Sequence, residues 1–145
     1  MLLRKGTKIG KKIDELSVGE RLNLTEKIED KDLLLYLGLT NDSNPLFIQH
    51  DYAAETSFKK PIVPVIMLNG IITSAISKHL PGPGSYILEQ NISYLLPVYH
   101  YETIEVLLEV QHINTIDNIV DVFVTALNEE KQQVIEGVFK IMPPV

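Results

Sequence analysis

The second half of the chain alternates apolar and polar positions. In "TIEVLLEVQHI", Ile104, Val106, Leu108 and Val110 share one face, and Glu105 and Glu109 lie on the other. "NIVDVFVTAL" repeats this with Val120, Val122, Val124 and Ala126, and "QVIEGVFKIM" follows in the same style. The links "NTIDN" and "NEEKQ" are short and polar, so these three segments are expected to form hairpins of an antiparallel sheet. Two earlier strands are predicted: "RLNLTEKI", Arg21 to Ile28, and "SYILEQNISYLL", which Pro97 ends.

Between these strands the period changes. "EDKDLLLYLGLT" reads as a short helix: its acidic start suits the positive end of the dipole, and Gly38 is placed to close it. A turn is expected at Asn44-Pro45, then a short helix from about His50 to Phe58. The longest helix is "PVIMLNGIITSAISKH", with Pro64 as its first residue, where the missing N–H costs nothing. Apolar residues lie nearly all round it, which predicts burial on most faces. Gly70, Ser74 and Ala75 allow close approach, Lys78 and His79 stand at its negative end, and "LPGPGS" stops it. One apolar helix plus strands that each have one apolar face predicts an α+β fold, with the sheet wrapped around the helix. Such a sheet keeps open edges, so dimerisation by edge pairing is expected.

Composition narrows the function classes. The 145 residues show no repeat, linker or break, which fits one domain over residues 1–145 with a basic N-terminal arm over 1–15. A net charge of -6 argues against nucleic acid as a partner. There is no cysteine, so disulfide and thiolate chemistry are excluded, and a cytoplasmic setting fits. The basic start has no apolar run behind it and does not read as a signal peptide. The most apolar run is interrupted by Pro61, Pro64, Asn69 and Ser74 and is too polar to span a membrane. His79, His100 and His112 fall at a helix end, in a loop and on a strand, with no metal-ligand spacing between them. No glycine-rich phosphate loop, nucleophile elbow or zinc-binding helix motif is present, so neither cofactor nor metal is expected.

The candidate chemistry lies in "NDSNPLFIQHDYAAETSFKKPIVPV", Asn41 to Val65. Asp42 is an exposed-loop carboxylate with two readings of equal weight: a base, or a cap on nearby N–H groups. Asn44 reads as a residue that fixes the loop, and Phe47 as a wall of an apolar ligand pocket. His50 is a weak candidate for a proton-transfer partner, and its bland alternative is a solvated residue on the first turn of a helix.

This stretch, with the apolar helix after it, then "LPGPGS", then "PV" after a strand, resembles the MaoC-like hot-dog family, and within it the (R)-specific enoyl-CoA hydratases. The resemblance covers roughly Leu16 to Met142. It implies a hot-dog fold and the addition of water across the double bond of an enoyl thioester, or the reverse. In that family an Asp and a His hold the water, and an N–H at the start of the buried helix polarises the thioester carbonyl. Asp42 matches the carboxylate, and Asn44, Pro45 and Leu46 match the turn that aims it. Ala53, Ala54 and Phe58 match the short helix, and Pro61 and Ile62 the lead into the buried one. Phe47 stands where the family has its catalytic His. Pro64 and Val65 replace His-Gly, which leaves the Val65 N–H as the oxyanion candidate. Tyr101-Glu102 stands where Gly-Asp is frequent. The reading is a hydratase or dehydratase of acyl-CoA or acyl-carrier-protein thioesters, homodimeric, with weak or altered activity. A non-catalytic acyl-CoA-binding subunit or sensor is the first alternative and an acyl-CoA thioesterase the second.

Overall fold

The computed structural model describes residues 8–145. Five strands form one antiparallel sheet: β1 (Arg21–Lys27), β2 (Tyr86–Tyr94), β3 (Thr103–Asn114), β4 (Ile119–Leu127) and β5 (Gln133–Met142). The helices are α1 (Asp30–Thr40), α2 (Pro45–Ile48), α3 (His50–Ala54) and α4 (Val65–Lys78). The alternation in β3 and β4 is realised as a wholly buried face, Ile104 to Val110 and Val120 to Ala126. Leu68, Ile72, Ala75 and Ile76 of α4 join that face in one core with Phe139 and Ile141 of β5. This is the α+β hot-dog arrangement.

The strand order is β1-β3-β4-β5-β2. Consecutive hairpins make the β3-β4-β5 meander, but β2 crosses to pair with β5 rather than with its successor β3. Its link to β3 is no tight turn. Leu95 N–H donates to Val134 O at 2.8 Å and Tyr101 N–H to Ile28 O at 2.8 Å, so the link is anchored at both ends of the sheet. β1 and β2 are the edge strands.

Helix ends differ from expectation in instructive ways. Gly38 lies inside α1, and Asn41 closes it with φ 56°, its N–H donating to Leu37 O at 2.8 Å. Asparagine tolerates this left-handed conformation because its short polar side chain bonds locally. Pro64 is the N-cap of α4, which begins at Val65. The expectation that α4 is buried on most faces is corrected. Val65 and Ile66 are 40% and 55% exposed, because the single sheet covers one stripe of the helix and these two residues lie outside it. The helix expected to reach Phe58 ends at Ala54, where Thr56 Oγ1 donates to Ala53 O at 2.6 Å and competes with the next helical bond.

The first part of the expected basic arm, residues 1–7, lies outside the described residues. Beyond it, Gly10 and Lys11 donate to Pro83 O and Pro81 O, both at 2.8 Å, which pins the segment against "PGPG". A Cβ on Gly10 would meet the backbone of Pro81 and Gly82, so only glycine permits this approach. Among the described residues no helix is long and apolar enough to cross a membrane.

Candidate functional site

The turn after α1 is built around Asp42. Asn41 reverses the chain, and Asn44 caps α2 by accepting from Leu46 N–H at 3.0 Å, with Pro45 at the first helical position. Asp42 accepts from Tyr36 Oη at 2.6 Å and from Asn44 N–H at 3.0 Å. Tyr36 lies in the last half of α1, and Thr40 Oγ1, one turn on, receives Asp42 N–H at 3.2 Å. The Tyr36 phenol first, and the Asn44 amide second, hold the Asp42 carboxyl below its usual range. The phenol is pushed up in return. Asp42 is therefore a half-exposed carboxylate that stays charged and is aimed by two donors.

The same turn is tied to the start of α4. Ile62 N–H donates to Leu46 O at 3.0 Å, and Val63 N–H donates to Val98 O at 2.7 Å. Val65 follows as the first residue of a helix of 14 residues. Its N–H has no partner inside the helix and points along the positive end of the dipole.

Phe47 and His50 belong elsewhere. They line an open cleft of about 560 Å³ between α1 and the loop after β2, and neither Asp42 nor Val65 lines it. Leu33, Leu34, Leu37 and Ile48 supply its apolar wall. Asp30, Lys60, Tyr99, His100 and Tyr101 supply polar groups. The expected residues thus divide into two places. Asp42 and Asn44 share the turn, with Val65 linked to it through Leu46 and Ile62, while Phe47 and His50 face the cleft.

Two residues were missed by sequence reasoning. The sequence places Tyr36 only within a short helix; its position, six residues before Asp42 and near a helix end, is the available signal. His100 was assigned to a loop, which is correct, but nothing in its spacing revealed its surroundings. Both ring nitrogens are shielded from solvent and have no hydrogen-bond partner among the described residues. Burial pushes its imidazole down, while the Asp30 charge and the nearby Ile62 backbone favour the charged form and His50 opposes it. Among the described residues no group of three or more His, Cys, Asp or Glu could hold a metal ion.

A hot-dog domain whose α1–α2 turn presents a charged carboxylate, with the α2 that follows tied by a hydrogen bond to the lead into the central helix, defines a structural class, and the chain's relatives define the family. The family model described as "MaoC like domain" matches residues 12–132, and the chain belongs to that family. It is similar to an (R)-specific enoyl-CoA hydratase of Rhodospirillum rubrum, 31% identical over 91 residues, covering 63% of this chain and 63% of the relative. It is also similar to the (R)-specific enoyl-CoA hydratase of Aeromonas caviae, 33% identical over 84 residues, covering 58% and 63%. The match therefore spans less than two thirds of these curated relatives. Among solved structures, the R-hydratase PhaJ1 of Pseudomonas aeruginosa in its unliganded form superposes with a TM-score of 0.86 at 32% identity, covering 93% of this chain and 86% of that one. At the level of the family, these are hydratases and dehydratases of acyl-thioester metabolism.

Proposed function

We propose that this chain is a hydratase or dehydratase of acyl-CoA or acyl-carrier-protein thioesters, acting through Asp42 without the family's histidine. The observation that carries the reading is the Asp42 carboxylate, charged and aimed by Tyr36 and Asn44 in the turn that matches the family motif. In hydration, Asp42 would take a proton from water as the water oxygen bonds to C3. The electron pair of the double bond moves toward the thioester oxygen, where the Val65 N–H would meet it. The proton then passes from Asp42 to C2, so one carboxylate serves as base and acid in turn. Dehydration reverses these steps. A carboxylate held below its usual range is a weak base, and a missing acid–base partner costs about 10²–10⁴-fold in rate, so turnover is expected to be slow. His50, the expected substitute for the missing histidine, faces the cleft that Asp42 does not line and takes no part in this scheme.

A second reading, a thioester-binding subunit without turnover, is favoured by Phe47, which has no proton to exchange, and by the bulk of Val65 where the family has glycine. The open edge of β2 suits pairing with a second copy in either reading. The test is loss of conjugated absorbance on mixing with short and medium trans-2-enoyl-CoA, alongside Asp42→Ala. Turnover that Asp42→Ala abolishes supports the hydratase. Binding of acyl-CoA by folded protein, with no turnover, supports the binding subunit. Release of free thiol would instead indicate thioester hydrolysis.

A further inference from the structure

The cleft between α1 and the loop after β2 is separate from Asp42 and has its own chemistry. One wall is aliphatic and aromatic: Leu33, Leu34, Leu37, Phe47 and Ile48. Its volume, about 560 Å³, lies within the range of small-molecule sites. The rest is polar and centres on His100. The Lys60 ammonium stands 4.7 Å above the ring of Tyr99, the residue before His100. The Tyr101 hydroxyl, on the other side of His100, donates to the Asp30 carboxylate. Tyr99 Oη donates to Phe58 O at 2.8 Å, so the loop carrying His100 is fixed from both flanks.

This arrangement leaves specific capacities unused. Asp30 already accepts from Tyr101, so the acidic group of the cleft is engaged. Lys60 has no carboxylate partner among the described ion pairs and rests on an aromatic face. His100 has no partner at either nitrogen. A buried polar group without a partner calls for an explanation, and a ligand acceptor supplies one for the ring nitrogen that carries the proton. A ligand that satisfies both Lys60 and His100 must accept hydrogen bonds, carry negative charge and continue into an apolar body.

We infer that this cleft binds an aliphatic monocarboxylate, with its chain against Leu33, Leu37, Phe47 and Ile48 and its carboxylate at Lys60, the His100 ring turning a nitrogen from its shielded place to meet it. Thioester conversion at Asp42 is not required for this binding, because Asp42 does not line the cleft. The two places still communicate: Phe47 N–H donates to Asn44 O at 3.0 Å, so a chain pressing on Phe47 acts on the turn that aims Asp42.

Decanoate is the probe, titrated into the intact protein by calorimetry, with decanol as the uncharged control. Decanoate is expected to bind more tightly than decanol. Lys60→Gln and His100→Leu are each expected to weaken it about tenfold, the effect of losing a hydrogen bond to a charged group. Lys60 is exposed, so its variant keeps the fold. In the unaltered protein the His100 ring resonances should move on binding, and its titration should rise, because a carboxylate beside the imidazole favours the charged form. Asp42→Asn should leave decanoate binding unchanged. The proposal is overturned if decanoate does not bind, if both cleft variants bind it as well as the parent, or if Asp42→Asn abolishes binding. The last result would move the ligand to the thioester site. Failure of enoyl-CoA turnover would not touch the proposal.

Discussion

The β3–β5 meander and the α1–α3 segment obey opposite rules. In the meander nearly every inward side chain is fully buried, and the hairpins pair along their length. Across α1, α2 and α3 only Ala53 is buried, while Leu34 and Leu39 are 68% and 85% exposed. The sheet is held by packing of a large apolar surface; the helical segment is held by a few directed hydrogen bonds, such as Tyr36 O–H to Asp42 and Ile62 N–H to Leu46 O. The two halves should therefore fail differently: changes in the sheet reach the whole fold, and changes in the helices reach the site.

Phe139→Ala should show this most strongly. Phe139 is fully buried at the centre of the core and faces Val122 across the β4–β5 pair. Truncation should cost about 3–5 kcal/mol, read from denaturant unfolding. A loss under about 1 kcal/mol would mean the core collapses freely around the gap, and the contrast between the halves would weaken. Gly137→Ala comes next. A Cβ there would lie 2.6 Å from Asn91 O and 3.0 Å from Ile92 Cα, both backbone atoms of β2. Overpacking of this kind costs roughly 1–3 kcal/mol, and the strain falls on one strand pair. Amide exchange in β2 should accelerate while β3 and β4 stay protected; uniform acceleration would show that the sheet yields as one unit.

These magnitudes bear on what could be read from the sequence. Alternation in "TIEVLLEVQHI" and "NIVDVFVTAL" announced its buried face because period two and one-sided burial leave a pattern in every second residue. The hot-dog arrangement followed from that pattern, the apolar helix and the spaced family motifs. Position within the sheet did not: nothing in "SYILEQNISYLL" says that β2 pairs with β5, since the partner is chosen by the whole chain. The exposed flank of α4 was misjudged because composition records how apolar a helix is, not how many layers cover it. In the site, Asp42 and Asn44 were legible as turn chemistry over neighbouring residues. Tyr36 and His100 were not, because each acquires its role from contacts that folding makes between segments.

Tyr36→Phe sharpens the comparison inside the helical half. It keeps the ring and removes the main group holding the Asp42 carboxyl low. The carboxyl should therefore titrate at higher pH, and the acid limb of any Asp42-dependent turnover should move up with it. The carboxyl carbon resonance of Asp42 reads the same shift without requiring activity. The sign for stability follows from linkage: a carboxyl held low in the fold stabilises above its unfolded pKa, and this is lost as pH falls through the folded value. The variant should lose part of that contribution at neutral pH. An unmoved titration would leave Asn44 N–H as the donor that matters.

The smallest effect belongs to Leu39→Gln. Leu39 is 85% exposed and lies one residue from the end of α1, so the single chain gains almost nothing from it. Stability should change by no more than about 0.5 kcal/mol, since surface substitutions away from special features seldom do more. Leu34 stands on the same helix with similar exposure and should behave alike. Denaturation at two protein concentrations separates the outcomes. A midpoint unchanged by variant and by concentration would show that α1 bears its leucines at no benefit to the fold. A loss well above that limit, growing with concentration in the parent alone, would show that a second copy covers α1. The loosely held half would then be a contact surface as well as the bearer of the site.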